Sequence, residues 1–300
     1  MSEAWDTDEH RVRMLSLPRR EPVRMVLDTD TYNEIDDQYA LAHALLAPDR
    51  VTLEAVYAAP FHNDRSTGPG DGMRKSHEEI VRVLDRVAGP RPPVFQGAVD
   101  WFAESQQHSP AALDLIDRAR AGDPLYVVAI GAITNIAVAL RAAPEIAANI
   151  VVVWLGGHAG NWGEEVEFNL GGDIPAAQVV YDSGVPLMVL PCLGVADHLI
   201  TTRSEIDQYV TPCGELGAFL AQRYDEYIDD TVGRSKVLWD IGATGWVLDP
   251  TWLRTKLVTA PVIGADGRKA EDPTRHLIAE AYAIDRDAVY GDLFTRLANR

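Results

Sequence analysis

Residues 23–46 read VRMVLDTDTYNEIDDQYALAHALL and combine three features that occur together in α/β proteins. The apolar run Val23–Leu27 predicts a buried strand. Five carboxylates follow within residues 28–37, and a helical pattern of apolar residues starts at Asp36. A strand that ends in polar residues and leads into a helix is typical of the ligand-binding edge of a parallel sheet.

The same alternation of apolar runs and helical patterns continues along the chain. Further strands are predicted over Val51–Ala59, Leu125–Ile130, Ile150–Leu155, Leu187–Leu190 and His276–Ile284. Helices are predicted over Asp36–Leu46, Gly72–Val87, Ala111–Arg120, Asn135–Ala142, Pro175–Ser183 and Arg286–Leu297, and Glu205–Leu248 is chiefly helical in pattern. The alternation predicts an α/β fold with an open, mostly parallel, doubly wound sheet flanked by helices. We predict a flexible arm over residues 1–22 and a single catalytic domain over residues 23–300.

The composition indicates a globular protein and disfavours several classes of partner. The 300 residues include 27 Lys and Arg against 45 Asp and Glu, a net charge of −18, and 47% are hydrophobic. This hydrophobicity excludes global disorder, and the negative charge argues against nucleic acid and anionic membranes as partners. Two cysteines cannot form a disulfide framework, the N-terminal residues lack an apolar signal segment, and the longest uncharged run, Pro124–Leu140, is too short to span a membrane. We therefore expect a cytoplasmic protein.

The carboxylates of residues 28–37 are too many to be explained by helix capping alone. Asp36 and Asp37 could cap the helix that follows, but capping gives no role to Asp28 and Asp30 beside them. Repulsion within such a cluster is costly unless a cation neutralises it, and hard divalent cations prefer carboxylate oxygens. The cluster therefore predicts a metal site.

Two enzyme families share parts of this pattern. The run Asp28–Thr31 resembles the haloacid dehalogenase-type phosphatases, in which Asp28 would be the nucleophile and Asp30 the acid, with Mg²⁺. The chain resembles the inosine/uridine-preferring nucleoside hydrolase family more extensively, over about residues 23–299, because its Asp-x-Asp…Asp-Asp fingerprint is followed by further matching segments in the right order. Those segments are Gly131–Ala137, Gly156–Gly157 with Asn161, Val166–Asn169, Asp173–Ala177 and Trp239–Asp240.

The second resemblance implies a Ca²⁺-dependent enzyme that hydrolyses the N-glycosidic bond of ribonucleosides to ribose and a free base. It implies that Asp30 is the general base that takes a proton from water at the ion, and that the protein is a homodimer or homotetramer. The implied Ca²⁺ ligands are Asp30, Asp37, the backbone carbonyl of Thr134, and Asp240. The implied substrate-binding residues are Asp36, Asn63, Asn161, Glu167, Asn169 and Trp239.

The sequence departs from the family pattern in two places. The segment between Asp30 and Asp36 is two residues longer than in the family pattern. Trp239 stands where the family usually has a His that helps protonate the leaving base. Tryptophan can stack on a flat base, and the purine-specific branch of the family places Trp there, so we predict a preference for purine nucleosides; core packing of Trp239 is the alternative. His158 and His62 are substitute candidates to assist departure of the base. A catalytically silent member that binds a nucleoside or ribose is the alternative function.

Overall fold

The computed structural model describes residues 6–16, 22–103, 108–122, 124–160, 166–228 and 232–299. The strands within these ranges are β1 (Val23–Thr29), β2 (Val51–Ala58), β3 (Val94–Gln96), β4 (Leu125–Ala129), β5 (Ile150–Leu155), β6 (Leu187–Leu190), β7 (Ile200–Thr201), β8 (Lys236–Val237), β9 (Leu253–Thr259), β10 (Val262–Ile263), β11 (Lys269–Ala270) and β12 (Leu277–Ile284). The α-helices are α1 (Asp8–Leu15), α2 (Asp36–Leu45), α3 (Pro69–Leu84), α4 (Pro110–Ala119), α5 (Thr134–Ala142), α6 (Phe168–Gly172), α7 (Ile174–Asp182), α8 (Arg203–Glu205), α9 (Gly214–Tyr227), α10 (Ile241–Leu248) and α11 (Arg286–Ala298).

Eight of the strands form one sheet in the order β3-β2-β1-β4-β5-β6-β12-β9. All neighbouring pairs are parallel except β12 and β9, which are antiparallel. This is the mostly parallel, doubly wound α/β sheet that the sequence predicts.

Helices cover both faces of the sheet, which explains why its strands are apolar throughout. Along β1, Met25 and Leu27 belong to the core on one face, whereas Val26 belongs to the core on the other face. The first core contains side chains of α2, α3, α9, α10 and α11, and the second contains side chains of α4, α5 and α7. Successive strand residues point to opposite faces, so a strand covered on both sides must be apolar at every position.

The strand order changes direction between β1 and β4, and this places a crevice at the carboxyl edge of the sheet. At this edge Asp28 lies opposite Tyr57 of β2 and Ala129 of β4. Close packing here requires a glycine: a Cβ atom on Gly97 would lie 2.1 Å from the Ala58 carbonyl oxygen and 2.4 Å from Asn135 Nδ2. The end of β3 is thereby pressed against the residues that follow β1 and β4.

Most predicted elements are present in the structure. The differences between prediction and structure concern the strands at the two edges of the sheet and the short segments. The three-residue strand β3 and the outermost strand β9 were not predicted. Strand β9 is largely exposed, so it lacks the apolar run that marks the inner strands. The stretch Glu205–Leu248 contains helices α9 and α10 as expected, but also the short strand β8, which pairs with β7.

Part of the segment predicted as a flexible arm is packed against the sheet. Helix α1 buries Arg11, whose Nε donates to the Gly184 carbonyl oxygen at 2.7 Å, and Met14, which joins the core. Residues 1–5 and 17–21 of the arm lie outside the described residues. The division into an arm and a single domain at residue 23 stays a prediction. Within the described ranges, no helix is long and apolar enough to cross a membrane.

Candidate active site

A cavity of about 590 Å³ lies at the carboxyl edge of the sheet, beside the ends of β1, β4 and β5. Eight of the predicted site residues line it: Asp30, Asp36, Asp37, Asn63, Glu167, Asn169, Trp239 and Asp240. Thr134 does not line the cavity, and Asn161 lies outside the described residues. Residues from segments far apart in the sequence therefore meet in one place.

The loop after β1 folds back so that the start of α2 faces the cavity. The Asn33 amide donates to the Asp30 carbonyl oxygen at 2.7 Å, and Gln38 Nε2 donates to the Thr31 carbonyl oxygen at 2.8 Å. The Thr29 hydroxyl donates to the carboxylate of Asp37. These bonds place two acids in the first turn of α2, where the helix dipole favours negative charge.

Asp36 and Asp37 do not cap α2 with their side chains. Residue Ile35 occupies the N-cap position, and no side chain caps this helix end. One Asp36 oxygen instead accepts the Trp239 backbone amide at 3.1 Å. The Asp36 carboxylate therefore binds the segment before α10, and neither acid supplies a side-chain cap for α2, so capping does not explain the two acids.

Three carboxylates form a compact buried group. One oxygen each of Asp36, Asp37 and Asp240 lies within 4.8 Å of the others. Asp30 is 1% exposed, and neither of its carboxylate oxygens has a hydrogen-bond partner among the described residues. Buried carboxylates without partners are strongly destabilised as anions, so this group requires either protons or a cation.

The electrostatics of the group follow from this burial. Burial raises the pKa of Asp36 to about 6, with Lys236 opposing the shift, and burial together with the charge of Asp36 raises the pKa of Asp37 to about 8. The pKa values of Asp30 and Asp240 are raised well above the usual range by burial and by repulsion from the neighbouring acids. Without a counter-charge the folded protein therefore favours protonated acids at this site.

Asp28 lies beneath the cavity and holds a neighbour in place. Asn135 Nδ2 donates to Asp28 Oδ1 at 2.7 Å, and Asn135 Oδ1 accepts the Ala98 amide at 2.8 Å. Asp28 is completely buried, and burial raises its pKa to about 7 against the effect of the Asn135 hydrogen bond. Asp28 thus links β1 to the start of α5 and to the chain after β3.

Glu167 and Asn169 stand at the ends of β4 and β5 and are held by the backbone. Glu167 accepts the amides of Gly157, Asn169 and Leu170 at 2.8–2.9 Å. Asn169 Nδ2 donates to the carbonyl oxygens of Ile130 and Leu155 at 3.2 and 3.0 Å. Both polar side chains are therefore fixed in the cavity wall.

The rest of the cavity wall includes residues that lie outside the predicted set of site residues. Asn63 Nδ2 donates to Asn33 Oδ1 at 2.6 Å, and Asn63 Oδ1 accepts the Arg65 amide at 2.9 Å. The Arg65 guanidinium lies over the Tyr32 ring, 4.5 Å from its centroid. The other lining residues outside the predicted set, apart from Asn33 and Arg65, are Glu34, Ile130, Leu155, His158, Val166, Phe168, Cys192, Leu193 and Tyr227. Ile130 ends a predicted strand, and this position at the carboxyl edge was the signal available in the sequence.

A buried lysine balances an acid of the loop between β1 and α2. Lys236, 7% exposed, pairs with the Glu34 carboxylate, which also accepts the Tyr227 hydroxyl at 3.0 Å. The nearby carboxylates of Asp36 and Glu34 raise the pKa of Lys236. Lys236 therefore remains a cation beside the acidic cavity, although it does not line it.

Trp239 lies in the cavity wall with Asp240 directly after it. Its backbone amide is bound to Asp36, and its ring also packs against the core on the α2 side of the sheet. Thr134 has a different environment, since its hydroxyl donates to Asp173 Oδ2 at 2.7 Å at the start of α5. Ile130, directly after β4, lines the cavity on this side instead.

Comparisons with known proteins agree with this geometry. The family model described as inosine-uridine preferring nucleoside hydrolase matches residues 25–290. The non-specific ribonucleoside hydrolase RihC of Salmonella schwarzengrund is 28% identical over 246 residues, which cover 76% of this chain and 79% of that protein. The pyrimidine-specific ribonucleoside hydrolase RihA of Salmonella paratyphi A is 25% identical over 233 residues, which cover 68% of this chain and 71% of that protein.

A solved structure has the same fold. The purine-preferring ribonucleoside hydrolase from Gardnerella vaginalis superposes with a TM-score of 0.73 at 23% identity, over 92% of this chain and 98% of that chain. The match covers nearly the whole of both chains, so the fold of this chain is a known one.

The acidic cluster predicts that the metal-free protein loses stability as the pH rises from about 4 to about 8. Folded-state pKa values of about 6 for Asp36, 7 for Asp28 and 8 for Asp37 lie above the usual 3.8, so the folded state binds more protons in this window. The asparagine side chain of Asp37→Asn cannot ionise. With a chelator present, the free energy of unfolding of this variant at pH 8 should therefore be higher than that of the wild type by at least about 1 kcal/mol.

Urea unfolding at pH 5 and pH 8 measures this difference. The gain of Asp37→Asn should shrink at pH 5, and a divalent cation should stabilise the wild type more than the variant. Asp287→Asn, at a position 90% exposed on α11, is the control and should keep the wild-type pH dependence. An Asp37→Asn protein with no advantage at pH 8 would contradict the electrostatic description of the site.

Proposed function

The chain belongs to the inosine-uridine preferring nucleoside hydrolase family, and on this premise we propose that it hydrolyses the N-glycosidic bond of ribonucleosides to ribose and a free base. The observation that carries the proposal is the convergence of buried carboxylates from β1, α2 and the segment before α10 in one cavity. Carboxylates and amides on the opposite wall supply acceptors and donors for sugar hydroxyls. The family assignment replaces the phosphatase alternative, which gave no role to Asp36 and Asp37.

The cavity residues fit a hard divalent cation, and we propose Ca²⁺. The donor set consists of oxygens, and both Asp30 oxygens lack partners among the described residues. Asp30, Asp37 and Asp240 would hold the ion together with a backbone carbonyl. Thr134 is the carbonyl that the motif suggests; Ile130 is a second candidate, because it lines the cavity and a carbonyl with one hydrogen bond can accept another contact.

Different residues of the cavity are proposed to carry out different steps of the reaction. When bound, the cation supplies positive charge that makes water easier to deprotonate near neutral pH. Asp30 is the proposed general base, since its two oxygens are free to accept a proton from the attacking water. Asp36, Asn63, Glu167 and Asn169, with Asn161 by resemblance, would bind the ribose hydroxyls. Their negative charge and acceptor atoms stabilise the oxocarbenium character that develops on the sugar.

Trp239 supports a preference for purine nucleosides within this proposal. Trp239 lines the cavity together with Asp36 and Asp240. An aromatic face gives a larger contact to a purine than to uracil or cytosine, and stacking contributes roughly 1–3 kcal/mol per base in other nucleobase sites. The relatives include pyrimidine-specific and non-specific hydrolases, so the preference depends on this residue rather than on the family.

The proposed ligands predict how Ca²⁺ binding responds to substitution. Asp37→Ala and Asp240→Ala should abolish tight binding in calorimetric titration, because each removes a carboxylate and leaves fewer charges to balance the ion. Thr134→Ala should be far milder, since only the backbone of Thr134 could contribute. Asp182→Ala, a surface change at a position 61% exposed, is the control. Unchanged Ca²⁺ affinity in Asp240→Ala would refute the ligand assignment.

A nucleoside panel tests both the reaction and the purine preference. The purified protein with Ca²⁺ should release free base, with kcat/KM higher for inosine, guanosine or adenosine than for uridine and cytidine. Trp239→Ala should lower the purine rates by about one to two decades, which corresponds to the loss of stacking in the transition state. Its effect on p-nitrophenyl riboside, whose leaving group needs no assistance, should be much smaller.

Three outcomes of the same panel would count against these proposals. Equal losses on purine nucleosides and p-nitrophenyl riboside would mean that Trp239 only packs the wall. A uridine preference in the wild type would refute the purine proposal. Saturable nucleoside binding without release of base would instead favour the catalytically silent alternative.

Family membership also supports a homo-oligomer in the cytoplasm. We propose a homodimer or homotetramer, which should sediment at micromolar concentration with a mass at least twice that of the 32.9 kDa chain. A mass near that of a single chain would refute the oligomer.

A further inference from the structure

Resting on the proposed function, we infer that the neutral imidazole of His158 donates a hydrogen bond from Nε2–H to the leaving base of the substrate. His158 follows Gly156–Gly157 at the end of β5 and lines the same cavity as Trp239. The inference gives the leaving base a partner at a site where the usual histidine is replaced by tryptophan.

The backbone around His158 is fixed by bonds to a second loop. The Cys192 amide donates to the Gly157 carbonyl oxygen at 2.8 Å, and the Ala159 amide donates to the Leu193 carbonyl oxygen at 3.0 Å. The His158 carbonyl oxygen accepts Lys269 Nζ at 3.1 Å. The segment that carries the imidazole is therefore attached to the chain after β6 and to strand β11.

The hydrogen bond at Nδ1 determines which ring nitrogen carries the proton. The Leu193 backbone amide lies 3.2 Å from His158 Nδ1. A backbone amide can only donate, so Nδ1 must be the unprotonated acceptor and the proton of the neutral ring must be on Nε2.

Nε2 is the part of this ring that remains available to substrate. Among the described residues it has no hydrogen-bond partner, whereas three other side chains of the wall each make a donor bond within the protein: Asn63 to Asn33, Asn169 to backbone carbonyls, and Tyr227 to Glu34. His62, the other candidate from the sequence, is exposed, contacts Ser66, and lines a smaller pocket instead.

A neutral donor suits the charge that develops when the base departs. As the bond between the sugar and the base nitrogen breaks, its electron pair goes to the base, while water attacks the sugar and gives its proton to Asp30. A fixed N–H aimed at the base stabilises this developing negative charge without itself losing a proton. The released base then takes a proton from solvent. His158 is thus a hydrogen-bond donor and not a general acid.

Two substitutions distinguish the roles of the two ring nitrogens of His158. In His158→Asn, Oδ1 can take the place of Nδ1 and still accept the Leu193 amide, but the donor toward the base is lost. In His158→Gln, the longer amide can return an N–H donor near the position of Nε2, although it cannot transfer a proton. His198→Asn, at a position 67% exposed, is the matched control for the same replacement outside the cavity.

The measurement is kcat/KM of the Ca²⁺-loaded proteins on nucleosides and on p-nitrophenyl riboside. We expect His158→Asn to lower kcat/KM about 10²-fold on nucleosides and less than about 3-fold on p-nitrophenyl riboside. A loss of this size is typical when one hydrogen-bond donor to a developing anion is removed. His158→Gln should recover most of that loss, and His198→Asn should match the wild type. In the wild type, ¹⁵N NMR should show a pyrrole-type Nε2 and a pyridine-type Nδ1 for His158.

The outcomes distinguish this inference from the proposed function. Equal losses on both substrates, no loss in His158→Asn, or a His158→Gln protein as impaired as His158→Asn would each overturn the donor role. A proton on Nδ1 in the NMR spectrum would overturn the tautomer. A wild-type protein that cleaves neither nucleosides nor p-nitrophenyl riboside would overturn the proposed function, and the role of His158 with it.

Discussion

The mutual repulsion of buried carboxylates at the carboxyl end of β1 is the constraint to which the rest of the site is fitted. Asp30, Asp36, Asp37 and Asp240 are each at most 3% exposed, so water screens their charges poorly. The protein offers partial compensation through the Thr29 hydroxyl, the Trp239 amide and the first turn of α2. These contacts orient the acids, but they leave the Asp30 oxygens without partners among the described residues. Because its buried carboxylates are only partly neutralised, the site is suited to a cation.

The fold brings these acids together through its topology. The change of direction between β1 and β4 opens the crevice, and the parallel strands place the ends of β1, β4 and β5 at its rim. Contacts beneath the cavity then fix the rim: Asn135 ties Asp28 to the chain after β3, and Asn169 ties the end of β4 to the end of β5. Stability of the sheet and geometry of the site are therefore provided by the same short segments.

The inner strands and the acidic residues were predictable because each carries a local signal. Doubly covered strands are apolar at every position, and clustered acids after a strand stand out in any sequence. The outer strand β9 and helix α1 were missed because exposed or short elements depend on tertiary contacts, such as that of Arg11 with Gly184. The pairing of Lys236 with Glu34 and the orientation of His158 could not be predicted for the same reason. Each joins segments that only the folded chain brings together.

The ion pair of Lys236 and Glu34 has a consequence for exchanging loops among proteins of this fold. The loop between β1 and α2 brings Glu34 to the cavity, and its counter-charge comes from a residue about 200 positions later in the chain. The loop is therefore not a self-contained module. Transplanted alone, it would add an acid to an already crowded site, and removed alone, it would take from the buried Lys236 ammonium the carboxylate with which it is paired. Loop and lysine would therefore have to be exchanged together, despite their separation in sequence.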